Sequence, residues 1–174
     1  YKKKTVNRNV KKPSVEEMLE QFKELPLIEQ RILKLLALYW EPSSADNIAT
    51  LYKECRFNKQ SGKQSFNFIH APLQLLFSQK ILERTDYRHF QLPHEYADAL
   101  CNEYYASDED LKKIANHILR TRSYYSSWYD ASFSERQFRN MRLGRYLDNL
   151  RLFEEGFNNL TASREKGDRN LELM

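Results

Sequence analysis

Between Phe66 and Leu100 the hydrophobic period changes twice, and few folds accommodate such a change. Ile69, Leu73, Leu76 and Phe77 recur at steps of four, three and one, the stripe of an amphipathic helix. Pro72 fits only near a first turn, where its missing N–H costs nothing, so this helix is expected to start nearer His70 than Phe66. After Lys80 the pattern shifts. Ile81 and Leu82 enter a polar run, Tyr87-Arg88 offers a turn, and Phe90 and Leu92 alternate with polar neighbours. That reads as a short hairpin, with no Asn-Gly or Asp-Gly to fix its turn type. Pro93-His94-Glu95 then opens a helix carrying Tyr96, Leu100 and Tyr104 to about Tyr105.

A helix followed directly by such a hairpin is the second half of a winged helix, and the upstream sequence supplies a first half. Ser14-Val15-Glu16-Glu17 is a capping box, in which the Ser hydroxyl accepts from the third helical N–H while Glu17 reaches back. Met18, Leu19 and Phe22 give that helix one apolar face, and Pro26 closes it. Ile28, Ile32, Leu35, Leu36 and Tyr39, widened by Leu33 and Leu38, predict a second helix from about Leu27 to Tyr39, buried on two sides. Glu41-Pro42-Ser43-Ser44 is a turn whose serines can cap a third helix, Ala45 to Cys55. Residues 56–65 form a polar loop.

Composition narrows the function classes. A chain of 174 residues with 41% hydrophobic and 30% charged side chains can bury a substantial core, and four Gly and five Pro favour helices. No apolar run approaches the roughly 20 residues that span a bilayer, and the polar, basic start is unlike a signal peptide. A start at Tyr1 rather than Met is read as the mark of a piece of a longer protein. The net charge of +4 is unevenly placed. Residues 1–13 hold Lys2, Lys3, Lys4, Arg8, Lys11 and Lys12 without an acid, leaving 22 basic and 24 acidic residues in the rest. The excess therefore sits in a tail expected to be disordered rather than on a domain face. Cys55 and Cys101 are too few for a disulfide framework, which points to a reducing, cytoplasmic setting. With His70, His89, His94 and His117 they make no metal-ligand spacing. No paired carboxylates, nucleophile elbow or activated Ser or Cys are evident, so catalysis within this chain is not expected.

Downstream, Ser107-Asp108-Glu109-Asp110 starts a helix with acids at its positive end, and Leu111, Ile114 and Ile118 form its buried face. A further helix is expected from about Glu135 to Leu160, with Phe138, Met141, Leu143, Leu147, Leu150, Phe153 and Phe157 as its apolar set. From Thr161 onward the polar sequence is expected to fray. Arg136, Arg139, Arg142 and Arg145 recur every three residues, a broad basic side to which Arg120 and Arg122 add. An acidic or phosphate partner is one reading; ion pairs with Glu135, Asp148 and Glu154 are the other. Tyr124, Tyr125, Trp128 and Tyr129 form an aromatic cluster suited to packing or to stacking on a base. A DNA-reading face would comprise Lys59, Lys63, Gln64, Asn67, His70 and Gln74, pairing with base edges and phosphate. The alternative there is a solvated loop and an outer helix face.

Three stretches together resemble the segment that follows the nucleotide-binding domain in STAND ATPases, the signal-transduction NTPases that include NB-ARC proteins. Residues 25–38 look like the family's first winged-helix helix. Residues 73–82 with Phe90-Gln91-Leu92-Pro93-His94-Glu95 look like its last helix and wing, and Arg145-Tyr146-Leu147-Asp148-Asn149-Leu150-Arg151 like the opening of its tetratricopeptide-like array. The resemblance implies that His94, in a triplet with Pro93 where the family has Met, touches the phosphate of ADP bound to a neighbouring domain. An imidazole at a wing end can donate to phosphate and titrate; a surface or partly packed His is the plain alternative. Ser61-Gly62-Lys63-Gln64-Ser65 lacks the first Gly and the strand of a P-loop, so ADP or ATP would belong to that neighbour and no cofactor to this chain.

The expected architecture is mainly α. A basic tail (1–13) precedes a winged helix-turn-helix of three helices and a β-hairpin wing with an extra N-terminal helix (14–105). An antiparallel helical pair (106–160) and a polar tail (161–174) follow. The expected role is a non-catalytic regulatory module contacting protein domains. A DNA-binding regulator and a protein-interaction scaffold are the alternatives, and no membrane is involved.

Overall fold

In a computed structural model, residues 11–57, 66–121 and 133–171 are described. The chain is mainly helical, with eight α-helices and one small antiparallel three-stranded sheet among those residues.

Helix α1 (Val15–Glu24) opens on the expected capping box: Glu17 N–H donates to Ser14 Oγ at 3.2 Å, and Ser14 N–H donates to Glu17 Oε2 at 2.7 Å. Helix α2 (Leu27–Tyr39) is the central pillar. Ile32, Leu33, Leu35, Leu36, Leu38 and Tyr39 are all buried, as its wide apolar face requires. Its charged residues do not reach open water either. Arg31 Nε donates to Asp110 at 2.9 Å and Lys34 pairs with Asp108 at 2.5 Å, clamping α2 to the start of the helix Glu109–Thr121. Ser43 and Ser44 form strand β1, and Ser44 also caps α3 (Ala45–Glu54) by accepting from Asn47 N–H. The sequence suggests only the turn and the cap; the pairing of β1 with a distant hairpin has no local signal.

A 3-10 turn (Phe66–Ile69) leads into α4 (His70–Ser78), which begins where Pro72 required. Strands β2 (Glu83–Arg84) and β3 (His89–Gln91) form the hairpin, with Glu83 opposite Gln91 and Arg84 opposite Phe90. Its turn is held by the Asp86 carboxylate, which accepts from the N–H groups of Arg88 and His89 and contacts His89 Nδ1. β1 pairs with the other edge of β3, so the strand order is β1-β3-β2. Helix α5 (His94–Tyr104) follows, and α1, α2 and α5 share the core through Met18, Phe22, Leu36, Tyr96 and Leu100.

The C-terminal region departs from expectation. Helix α6 (Glu109–Thr121) is followed by two helices, α7 (Phe133–Tyr146) and α8 (Leu150–Leu171), where one was expected over 135–160. The break is chemical. Asp148 adopts φ 50°, Asn149 N–H returns to the Gly144 carbonyl at 2.8 Å, and Asn149 Oδ1 accepts from Leu152 N–H as the cap of α8. An apolar stripe continuing through Leu147 and Leu150 hid this turn. The expected polar tail also starts too early, since α8 extends to Leu171 rather than fraying at Thr161. Helices α7 and α8 pack as a hairpin at close range, with Gly144 facing the Phe153 backbone and Gly156 facing Gln137 and Met141. No described helix is long and apolar enough to cross a membrane.

Candidate functional site

The start of α5 just after the β2–β3 hairpin, the end of α2 and α7 meet around one ring. Trp40 follows the last turn of α2 in the left-handed region, at φ 66°, and its N–H still closes that turn on the Leu36 carbonyl. A bulky residue rarely holds this backbone conformation without contacts that fix it. Here two such contacts exist. The His94 ring stacks on Trp40 with centroids 3.8 Å apart and planes 9° apart. The Arg142 guanidinium lies 3.6 Å from the same ring centre. Two planar groups this close to one centroid cannot share a face, so the indole is sandwiched between them.

Each outer member is held in turn. His94 is the first residue of α5, placed by Pro93 as N-cap, and its Nε2 lies 3.1 Å from Gln91 Nε2 at the end of β3. The ring edge remains exposed. Arg142 donates through Nη1 to the Ala37 carbonyl at 2.9 Å, filling an acceptor left open near the C-terminus of α2. Its Nη2 and Nε reach Asp98 Oδ1 of α5 at 2.8 and 3.2 Å. Beside it, Arg139 and Glu41 form an ion pair at 2.9 Å with both side chains almost wholly buried (6% and 3% exposed).

At the opposite side of the α5 N-terminus, Lys12 bridges Glu83 of β2 and Glu95 of α5 at 2.8 and 3.0 Å. Glu95 lies below the ordinary carboxylate range because it accepts from its own N–H at the helix start and then from Lys12. The Tyr96 hydroxyl donates to the Pro13 carbonyl, so residues 12 and 13 are fastened to the β2–β3 hairpin and α5 rather than belonging to a loose tail.

The four arginines read as a basic side do not form one exposed surface. Arg139 is buried against Glu41, and Arg142 is half-buried on Trp40 and Asp98. Arg136 is half-buried, and Arg145 is exposed beside the Tyr146 ring. Arg139 and Arg142 pair with acids from other elements, Glu41 and Asp98.

Of the DNA-reading set, Lys59, Lys63 and Gln64 lie outside the described residues, as do Arg122 and the Tyr124–Tyr129 cluster. Asn67 sits in the 3-10 turn, and His70 and Gln74 are exposed one turn apart on α4. Among the described residues no group of three metal-ligating side chains converges. Burial pushes the thiols of Cys55 and Cys101 up to about 12 and about 11, so neither is a ready nucleophile. Sequence reasoning missed Trp40, Glu41 and Asp98. Nothing local marks them, because each acquires its role from an element more than 40 positions away. Comparison with protein-family models, with curated proteins and with solved structures returns no match.

Proposed function

We propose that residues 14–105 are a winged-helix module acting, together with the following helices, as a non-catalytic regulatory segment beside a nucleotide-binding domain. The winged-helix reading is supported by the element order α2-β1-α3-α4-β2-β3 with strands arranged β1-β3-β2, each strand antiparallel to its neighbour. In this reading His94 senses whether the neighbour holds ADP or ATP, by donating to a phosphate from the exposed edge of its ring.

The observation that carries the regulatory role is the sandwich of Trp40 between His94 and Arg142. A phosphate that draws His94 off the indole removes one of the two groups holding a left-handed Trp. The remaining group belongs to α7, so a change at the wing end reaches the helical hairpin through a single side chain. A signal relayed this way needs differential contact in two states, which the exposed imidazole edge can supply.

The test is ADP release from the full-length protein with His94→Leu. Release accelerated several-fold is expected. Unchanged release, or no nucleotide binding at all, rejects the reading.

A DNA-binding role rests on the same topology, in which α4 would enter the groove. The described outward face of α4 is His70, Gln74, Leu75 and Ser78, with no Lys or Arg, and Glu20 and Glu24 of α1 flank Leu75. Phosphate contact favours the opposite charge, so a protein partner is the better fit. Salt-dependent binding to duplex DNA that survives deletion of residues 1–13 would reverse this ranking.

A further inference from the structure

The C-terminal half of α1 and the end of α4 border a groove of about 510 Å³ lined in part by Glu20, Glu24, Leu25, Pro26, Leu75 and Gln79. We propose that this groove docks a basic, leucine-bearing peptide segment of a protein partner. The proposal concerns the α1–α4 surface and stands whether or not His94 senses a nucleotide.

Two independent features point to that chemistry. The first is apolar exposure: Leu75 is 42% exposed and Leu27, next to Pro26 at the groove end, is 53% exposed. Leucines on a neighbouring pair of helices, with Leu25 and Pro26 between them, form a contiguous apolar strip rather than scattered surface residues. The second is charge. Glu20 and Glu24 stand one helical turn apart on α1 along the groove. Glu20 is already bridged at 2.7 Å by Lys23, an exposed i,i+3 pair of the kind that adds little stability and exchanges readily. Lys23 also demonstrates the geometry in which a cation meets this edge. Apolar strip and carboxylate edge are the complement of a segment carrying Leu between Lys or Arg. Such a segment lying in a helix-lined groove is a recurrent mode of peptide recognition. The carboxylates oppose a nucleic-acid backbone on the same face.

The experiment titrates this chain against a fluorescein-labelled, acetylated peptide of Lys and Leu at helical spacing, read by anisotropy, with a Glu-for-Lys counterpart as control. Binding to the wild type is expected at roughly micromolar Kd. Leu75→Asp, at an exposed site where the fold tolerates it, is expected to weaken binding by about tenfold or more, as is the pair Glu20→Lys with Glu24→Lys. Glu154→Lys with Glu155→Lys on α8 makes the same charge change at a distance and is expected to leave it intact. Equal loss in all variants would reduce the effect to net charge and overturn the proposal. So would absence of binding, equal binding of the acidic counterpart, or competition by duplex DNA for the same variants. A tenfold gain on deleting residues 1–10 would make the chain's own basic segment the occupant and overturn it as well.

Discussion

Arg142 and His94 lie on opposite faces of Trp40, at 3.6 and 3.8 Å from its ring, and neither is near the other in sequence. The arrangement explains why a Trp occupies a left-handed position that Gly would fill at no steric cost. Replacing Trp40 by Gly relieves backbone strain of roughly 1–2 kcal/mol, yet it removes a large half-buried aromatic and both stacked contacts, worth roughly 3–4 kcal/mol together. The expected net effect is destabilisation by about 2 kcal/mol, read as a lower urea midpoint. A Trp40→Gly variant more stable than the wild type would show that the stack does not hold the ring.

Local features were legible because their determinants are local. Ser14 and Glu17 specify a cap by spacing alone, and Pro72 sets the start of α4 by what its nitrogen lacks. The mainly helical class followed from period. What escaped the sequence were relationships across long separations. Asn149 ends one helix and caps the next within a stripe that never loses its apolar period. Arg139 finds Glu41 across 98 positions, and Arg142 finds Asp98 across 44, while nearer acids offered themselves. A charge pattern read along one helix cannot identify partners that only tertiary packing brings into reach. His94 was singled out, but Trp40 beneath it was not, because nothing before folding distinguishes that Trp from a core aromatic.

The Arg139–Glu41 pair predicts a strong asymmetry between single and double substitution. Both side chains are nearly inaccessible, so Glu41→Ala leaves a buried guanidinium without its carboxylate, at a cost of roughly 3–5 kcal/mol. Exchanging the two together, Glu41→Leu with Arg139→Met, removes both desolvated charges and is expected to restore most of that loss. A double-mutant cycle in urea measures it. Additive losses would show that the two charges act independently.

Acid is expected to destabilise the chain in two separate windows. Burial lowers the His117 pKa from its ordinary 6.5, an effect that Arg120 reinforces and that Glu54, 3.2 Å away, opposes. Because the folded state favours the neutral ring, stability is complete above the unfolded value and falls as pH drops below about 6.5. Asp86 behaves as a carboxylate held below its usual 3.8 by the Arg88 N–H and then by His89, so its contribution is present above that value and lost beneath it. Urea midpoints measured from pH 8 to pH 3 should therefore decline in two steps. His117→Gln should flatten the upper step and leave the lower one.

The two glycines of the α7–α8 hairpin give the sharpest test of that turn. In an exposed helix interior, Gly→Ala stabilises by roughly 1 kcal/mol, since Ala restricts the unfolded chain and favours the helix. Here a Cβ on Gly144 would lie 2.6 Å from the Phe153 backbone nitrogen, and one on Gly156 would lie 2.8 Å from the Gln137 carbonyl oxygen. Neither neighbour is a flexible side-chain end, so the helices must part, and overpacking of this kind costs roughly 1–3 kcal/mol. Gly144→Ala and Gly156→Ala are accordingly expected to lower stability despite their helix propensity, with Gly144→Ala the worse because the clash meets backbone at two atoms. Had 135–160 formed one continuous helix, neither glycine would face another segment and both substitutions would raise the urea midpoint. The sign of the change therefore distinguishes a hairpin from a single rod.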